Sequence, residues 1–428
     1  MMAVPGTDFT LQAAAAADAR ANWPLAAEFC MPRSADGPLI YLCGHSLGLA
    51  PRRAAAFVEQ ELADWRQLGV LAHEQAQRPW IEYAELASQG LARLTGARPA
   101  DVLAMNSLSV NLHLLLASFY RPQGIRRRVL IESGAFSSDR HAIATQIAWH
   151  GLDPATELVE LAPREGEDLL RAEDIDAAID REGERLALVL WPGVQFRTGQ
   201  AFDCARLTRR AQAVGATVGF DHAHAIGNVE LDLPGCGADF AVWCSYKYLH
   251  AGPGAIGGAY VAARHSEGGA ARLAGWWGHD AATRFAMSPR FAPAYGAAGW
   301  AVSNPPIFSA APLLASLQIF AEVDLAILRQ RSQALTQWFE SALLQHCGAE
   351  IQLISPREAA ARGAMLSLRL KGGAQRCRRV FATLGALGVL GDFREPDVLR
   401  LTPAPLYNTF SDVQQAAQRF AEALQRCA

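Results

Sequence analysis

The chain carries two lysines, Lys247 and Lys371, beside 37 arginines, so a position that keeps lysine is informative. Lys247 lies in Ala241-Val242-Trp243-Cys244-Ser245-Tyr246-Lys247-Tyr248-Leu249, where an apolar run that reads as a buried strand breaks into polar, glycine-rich sequence. Arginine could supply charge there but could not easily lose a proton, whereas lysine can become a neutral amine and form a Schiff base. The competing reading is an arginine-biased composition that left one lysine by chance, and the neighbouring segments decide between the two.

In Thr217-Val218-Gly219-Phe220-Asp221-His222-Ala223-His224 an apolar strand ends directly in an acid and two histidines. Ligands of open α/β sheets sit at the carboxyl ends of strands, so Asp221 and Lys247 are expected at one edge. An aspartate beneath a pyridine ring keeps its nitrogen protonated, and a lysine reaches the ring's aldehyde. Asp-x-x-His followed by Ser-x-Lys on the next strand therefore reads as a cradle for pyridoxal phosphate (PLP). For Asp221 alone a strand-end turn or helix cap is the better reading; Lys247 on the next strand tips the balance. His222 and His224 have no third ligand at a suitable spacing, so no metal is expected.

A phosphate cup is offered by Asn106-Ser107-Leu108-Ser109-Val110-Asn111-Leu112-His113. A strand ends near Met105 and a helix begins, so free backbone N–H groups and the helix dipole can hold an anion. Serine-rich helix starts are usually caps, and this segment is weak alone. Gly134-Ala135-Phe136-Ser137-Ser138-Asp139 follows the next strand and offers Phe136 as a ring to stack on the cofactor, or equally as a core aromatic beside an N-cap.

These residues need a sheet to bring them together. Strand-like runs at Asp101 to Met105, Arg128 to Glu132, Leu186 to Trp191, Thr217 to Phe220, Phe240 to Ser245 and Ala255 to Val261 alternate with helix-like stretches such as Asn111 to Phe119 and Ala201 to Val214. That is the pattern of an α/β domain with a mostly parallel sheet. The short glycine-rich link between the last two strands makes that pair antiparallel. One long helix from about Ala311 to Leu344 leads out. A small α+β unit follows, with strands at Ala364 to Leu370, Val389 to Phe393 and Val398 to Thr402, a helix at Ala374 to Leu387, and a final helix with Ser411 and Gln414 at capping-box spacing. The expected division is a helical segment over 1–97 packing with the small unit, a large domain over 98–310, and a linking helix with the small domain over 311–428.

A chain of 428 residues, 51% hydrophobic and 19% charged, can bury a large core. Its net charge of -3 argues against a nucleic-acid partner. The eight cysteines form no CxxC and read as reduced residues of a cytoplasmic protein. No signal peptide and no uninterrupted membrane span is expected.

Several separated motifs in one order now carry a family resemblance. They are Gly44-His45-Ser46-Leu47-Gly48-Leu49, His73 with Arg78-Pro79-Trp80, Asp221 to Asn228, Phe240 to Leu249, Gly275-Trp276-Trp277-Gly278-His279, Ser303-Asn304-Pro305-Pro306, and Arg400 with Pro403-Ala404-Pro405-Leu406-Tyr407-Asn408. Together they span nearly the whole chain and resemble kynureninases. The resemblance implies a fold type I, aminotransferase-like homodimer with PLP at shared active sites, acting on a small molecule and not on nucleic acid or membrane. Lys247 would be the Schiff-base lysine, Asp221 the partner of the pyridine nitrogen and His224 a further cofactor contact. Leu108, Ser109, Phe136, Ser137, Ser138, Asp139, Pro192 and Tyr246 would surround ring and phosphate, and Trp276 and Asn304 would arrive from the other subunit. Arg400 would clamp the substrate α-carboxylate; Ser46, His73, Trp277 and Asn304 would line its aryl end. Tyr246 would relay a proton.

Each residue has a plainer reading: Tyr246 and Trp276 as core aromatics, Arg400 in a surface ion pair with Glu395 or Asp397, His73 as a solvent-facing histidine. Residues alone support Lys247 and Asp221. The chain departs from the family pattern at His45 and His250, where Asn is usual, at Pro192, often Ser, and at Trp277, Phe in animal members. A cysteine desulfurase or selenocysteine lyase shares the fold and the lysine, but commonly needs a mobile nucleophilic cysteine, and Cys377 lies in a helix-like run.

Overall fold

The structure is a computed structural model describing residues 9–35, 37–266 and 270–428. The central sheet is built from β1 (Val102–Ala104), β2 (Arg128–Glu132), β3 (Leu158–Leu161), β4 (Leu186–Pro192), β5 (Thr217–Asp221), β6 (Phe240–Trp243) and β7 (Gly258–Val261). Their order is β1-β7-β6-β5-β4-β2-β3. β7 runs antiparallel to both neighbours and the remaining pairs are parallel. Alternate side chains feed two cores: Val189, Trp191, Val218 and Phe220 enter one, Leu188, Leu190, Phe240 and Val242 the other, which is why these runs are apolar throughout. The edge strand β3 escaped the sequence reading because its four residues are only partly buried or exposed.

The longer helices are α1 (Leu11–Ala21), α2 (Ala54–Leu68), α3 (Tyr83–Thr95), α4 (Leu108–Phe119), α5 (Ser137–Trp149), α6 (Ala172–Glu182), α7 (Cys204–Ala213), α8 (Ile307–Ala321), α9 (Leu325–Cys347), α10 (Gly373–Ala386) and α11 (Phe410–Arg426). The single helix expected from Ala311 to Leu344 is two, α8 and α9, meeting at 89°. Apolar periodicity does not register such a bend. The break lies before α9, where the Asp324 carboxylate caps the N–H groups of Ala326 and Ile327. No single helix among the described residues is long and apolar enough to cross a membrane.

The C-terminal unit is a four-stranded antiparallel sheet of β8 (Ile351–Leu353), β9 (Leu366–Leu370), β10 (Asp392–Arg394) and β11 (Val398–Leu401), in the order β8-β9-β11-β10. The run Val389 to Phe393 is not one strand. Val389–Leu390 pairs in parallel with Ile40–Tyr41, and the chain then turns into β10. The cap of α11 also lies two residues earlier than the spacing implied: Thr409 and Asp412 form the capping box, not Ser411 and Gln414. Gln414 instead donates to the Phe9 carbonyl and accepts from Trp338.

α1 docks on α11, where Asp18 accepts from the N–H groups of Phe410 and Ser411. α2 and α3 differ from the expectation: they pack on α8, and α3 also lies against β1. In α2, fully buried Glu61 accepts from Arg78 Nε, Trp80 Nε1 and Tyr83 Oη, each at 2.8 Å. This fixes the segment that carries His73. Glu61→Ala strands a partly buried guanidinium and two further donors, and is expected to cost about 2–3 kcal/mol, read from the denaturant midpoint. A cost near zero would contradict the assignment.

Candidate active site

Because the parallel strands end together, their last residues share an edge: Pro192 of β4 pairs with Asp221 of β5, and Asp221 with Val242 of β6. A pocket opens there. Its wall brings together Leu108 and Ser109 from the start of α4, Phe136, Ser138 and Asp139 from the start of α5, Pro192, Asp221, His224, Tyr246 and Lys247. Ser137, the first residue of α5, adjoins this group but does not line the pocket.

Lys247 projects from a tight loop after β6. The His250 N–H closes a turn on the Lys247 carbonyl at 3.0 Å, with His250 in the left-handed region at φ 53°. The Gly48 N–H donates to the Tyr246 carbonyl at 2.8 Å. A Cβ on Gly48 would stand 2.3 Å from the Lys247 carbonyl oxygen and from His250 Nδ1. The glycine-rich motif near the N-terminus is thus a backbone-on-backbone brace for the lysine loop. Lys247 Nζ lies 3.2 Å from His224 Nε2 and 5.7 Å from the ring centres of Phe136 and Tyr246. Burial, then the nearby Lys247 and Arg400, holds His224 well below its ordinary value, so it faces the amine as a neutral ring.

Across the pocket stand carboxyl groups. Asp221 Oδ1 accepts from the Ala223 N–H at 2.7 Å. Asp139 Oδ1 is buried without a partner, and burial, reinforced by Asp221, raises that carboxyl well above the usual range. At the other end α4 and α5 both begin without a side-chain cap, leaving their first N–H groups free, and the hydroxyls of Ser109 and Ser138 lie 2.6 Å apart between them. Two helix N-termini with paired hydroxyls fit an anion. Asp221, at the strand end with one carboxylate oxygen held by the Ala223 N–H, fits a protonated ring nitrogen, and the amine fits a carbonyl. These residues therefore suit PLP.

The remaining expected residues lie outside this wall. Arg400 is buried, with Nε donating to Asp392 Oδ1 at 3.0 Å and Nη1 to the Phe196 carbonyl at 2.6 Å. It is paired with Asp392, not with Glu395 or Asp397. Nη2 sits 2.7 Å from Asp392 Oδ1 but out of line for a hydrogen bond, so it lacks a true acceptor. Ser46 is half-buried in the turn after Cys43. His73 is exposed, edge-on to Trp80 at 5.4 Å. Trp277 is buried beneath the Arg284 guanidinium at 4.2 Å, while Trp276 and Asn304 face outward. Of the departures, His250 packs in the core against Phe29, and His45 Nδ1 meets Thr402 Oγ1 at 2.7 Å with Nε2 unpartnered.

Glu132, Phe196 and Ala223 also line the pocket, none of them expected there from the sequence. Glu132 had the signal used for Asp221, an acid ending an apolar strand. One cluster that spacing hid joins Cys43, His45 and Asp392, whose ligating atoms lie within 4.8 Å of one another. Arg394 and Arg400 both contact Asp392, so positive charge already occupies the place of a cation.

Residues 328–420 match the model of the kynureninase C-terminal domain. The chain is 52% identical to the kynureninase of Xanthomonas euvesicatoria pv. vesicatoria (strain 85-10), over 90% of this chain and 91% of that one. It is 50% identical to the kynureninase of Xanthomonas campestris pv. campestris (strain B100), over 91% and 92%. Among solved structures, the cysteine desulfurase CsdA of Escherichia coli superposes with a TM-score of 0.74 at 20% identity, over 94% of this chain and 96% of that one. A cysteine desulfurase from Thermococcus onnurineus NA1 gives 0.74 at 17% identity, over 91% and 95%. At such identities the likeness shows the fold alone, the expected fold type I of PLP-dependent enzymes.

Gly48→Ala forces a methyl group into the lysine loop and is expected to cost about 1–3 kcal/mol of stability, seen as a lower denaturant midpoint. Unchanged stability would contradict the brace.

Proposed function

The chain belongs to the kynureninase family, and from that premise we propose that it hydrolyses the Cβ–Cγ bond of L-kynurenine, or of its 3-hydroxy form, to anthranilate or 3-hydroxyanthranilate and L-alanine. The observation that supports this most is the gathering of Lys247, Asp221, His224, Ser109 and Phe136 in one pocket at the strand ends. When bound, PLP supplies an electrophilic carbonyl and a protonated ring that takes up electrons freed at the substrate α-carbon.

The chain's own groups do the rest. Lys247 holds the cofactor and, released as a free amine, moves the α-proton; neutral His224 beside it accepts a hydrogen bond without competing for charge. Asp221 keeps a proton on the ring nitrogen. The α4 and α5 N-termini, with Ser109, Ser137 and Ser138, bind the phosphate, and Leu108, Phe136, Asp139 and Pro192 flank the ring. Arg400, oriented by Asp392, presents Nη2 to the substrate α-carboxylate. Ser46, His73, Trp277 and Asn304 line the aryl end. Tyr246, its phenol raised by burial and so kept protonated, relays a proton to the alanine fragment.

Trp276 and Asn304 act across a homodimer interface. What supports this is their outward position and the exposed apolar side chains beside Trp276: Phe285, edge-on to Trp276, and Met287 are 70% and 74% exposed. Cysteine desulfuration is the weaker reading, since Cys377 is fully buried in α10 with its thiol on the Asp397 carbonyl. Eight unpaired cysteines fit a reducing, cytoplasmic setting, and the reaction fits tryptophan catabolism with supply to NAD biosynthesis. Residues 98–310 and 311–428 serve as the cofactor-binding and small domains.

PLP-loaded protein is expected to release fluorescent anthranilate and equimolar alanine from L-kynurenine, and Lys247→Ala none; release of sulfide from cysteine with no anthranilate would overturn the reading. Arg400→Lys should raise KM by about tenfold or more, because lysine lacks the planar fork. Lys247→Ala mixed with Trp276→Ala should regain roughly a quarter of wild-type activity, from one complete site in each mixed dimer. No recovery would contradict the shared site.

A further inference from the structure

Glu132 ends β2 and lines the same pocket as Asp139 and Asp221, yet the reaction above gives it no task. It is 3% exposed. Among the described residues no cationic side chain makes an ion pair with it. Its one side-chain partner is the Gln195 amide, which donates to Oε1 at 3.2 Å. That amide cannot turn over, because Gln195 Oε1 already accepts from the N–H groups of Arg197 and Thr198 at 2.5 and 2.9 Å. Asp139 faces the pocket from α5, Asp221 from β5, apolar Leu190 and Trp191 from β4, and Lys247 from beyond β6 as the cation on the opposite wall. One amine thus confronts three acids, and a carboxylate beside an apolar wall, with a single neutral donor, is costly to ionise.

Resting on the PLP reading of this pocket, we propose that Glu132 is a positioning residue that stays protonated, a neutral third acid that limits the charge beneath the ring and leaves Asp221 as the partner of the ring proton. Burial pushes the Glu132 carboxyl up to about 8, the Gln195 hydrogen bond pulling the other way and Asp221 adding to the rise. Glu132 is then neutral at pH 7 and charged well above pH 8.

The unfolded chain loses this proton near the ordinary glutamate value and the folded chain only near 8, so folding takes up a proton between them and wild-type stability falls as pH rises through that window. Glu132→Gln keeps the shape and an acceptor for Gln195 without a charge. In cofactor-free, full-length protein the variant is expected to melt above wild type, with a gap that widens from about pH 5 to about pH 8. With PLP bound, wild type should show an alkaline break in the pH profile of cofactor absorption that Glu132→Gln lacks. A flat melting gap, a break retained in the variant, or failure of the isosteric variant to fold would each overturn the proposal. If neither protein bound PLP, the proposed function would fail while the melting gap still decided the state of Glu132.

Discussion

Charge in a water-poor pocket is the constraint to which the rest of this structure answers. Lys247 looks across at Asp139, Asp221 and Glu132, and charges held in such a site interact several-fold more strongly than at a surface. Neither side is stable alone, so geometry has to keep them apart by the right amount. The carboxyl groups hang from strand ends and a helix start, which the buried central strands hold rigid. The amine hangs from a loop, which Gly48 pins by contact of one backbone with another. The uncapped starts of α4 and α5 add positive potential at the opposite end, the one proposed for the phosphate.

The C-terminal unit is tied to the pocket wall through a strap, residues 193–200. Phe196 on this strap lines the site, and the Phe196 carbonyl accepts from Arg400 of β11. The carbonyls of Arg197 and Thr198 accept from Ser367 and Ser355, both at 2.6 Å. The residue assigned to grip the substrate and the wall beside the ring are therefore tied to one body. Gln195 joins the same strap to Glu132, so the ring end and the carboxylate end of the site share a mechanical support.

Much of this was legible in the sequence, and for local reasons. β4, β5 and β6 are apolar runs whose ends carry chemistry, so Asp221 and Lys247 could be read without any relative for comparison. The antiparallel β6 and β7 pair followed from a short glycine-rich link. What stayed hidden was long-range or geometric. Asp392 orients Arg400 from a neighbouring strand, and His45 meets Thr402 across most of the chain's length. The bend between α8 and α9 leaves no mark on apolar periodicity. Glu132 was hidden differently, since an acid at a strand end is ordinary and only its neighbours in space make it unusual. The glycine motif around Gly48 was recognisable as a motif, but its reason, the approach to the lysine loop, needed coordinates.

Two lysines in the whole chain make the proposed role of Lys247, the amine that holds PLP, directly testable. Protein loaded with PLP would be treated with borohydride, digested and mapped by peptide mass. The reduced cofactor adduct is expected on the peptide containing Lys247, with the Lys371 peptide unmodified. An adduct on Lys371, or none on either lysine, would contradict it.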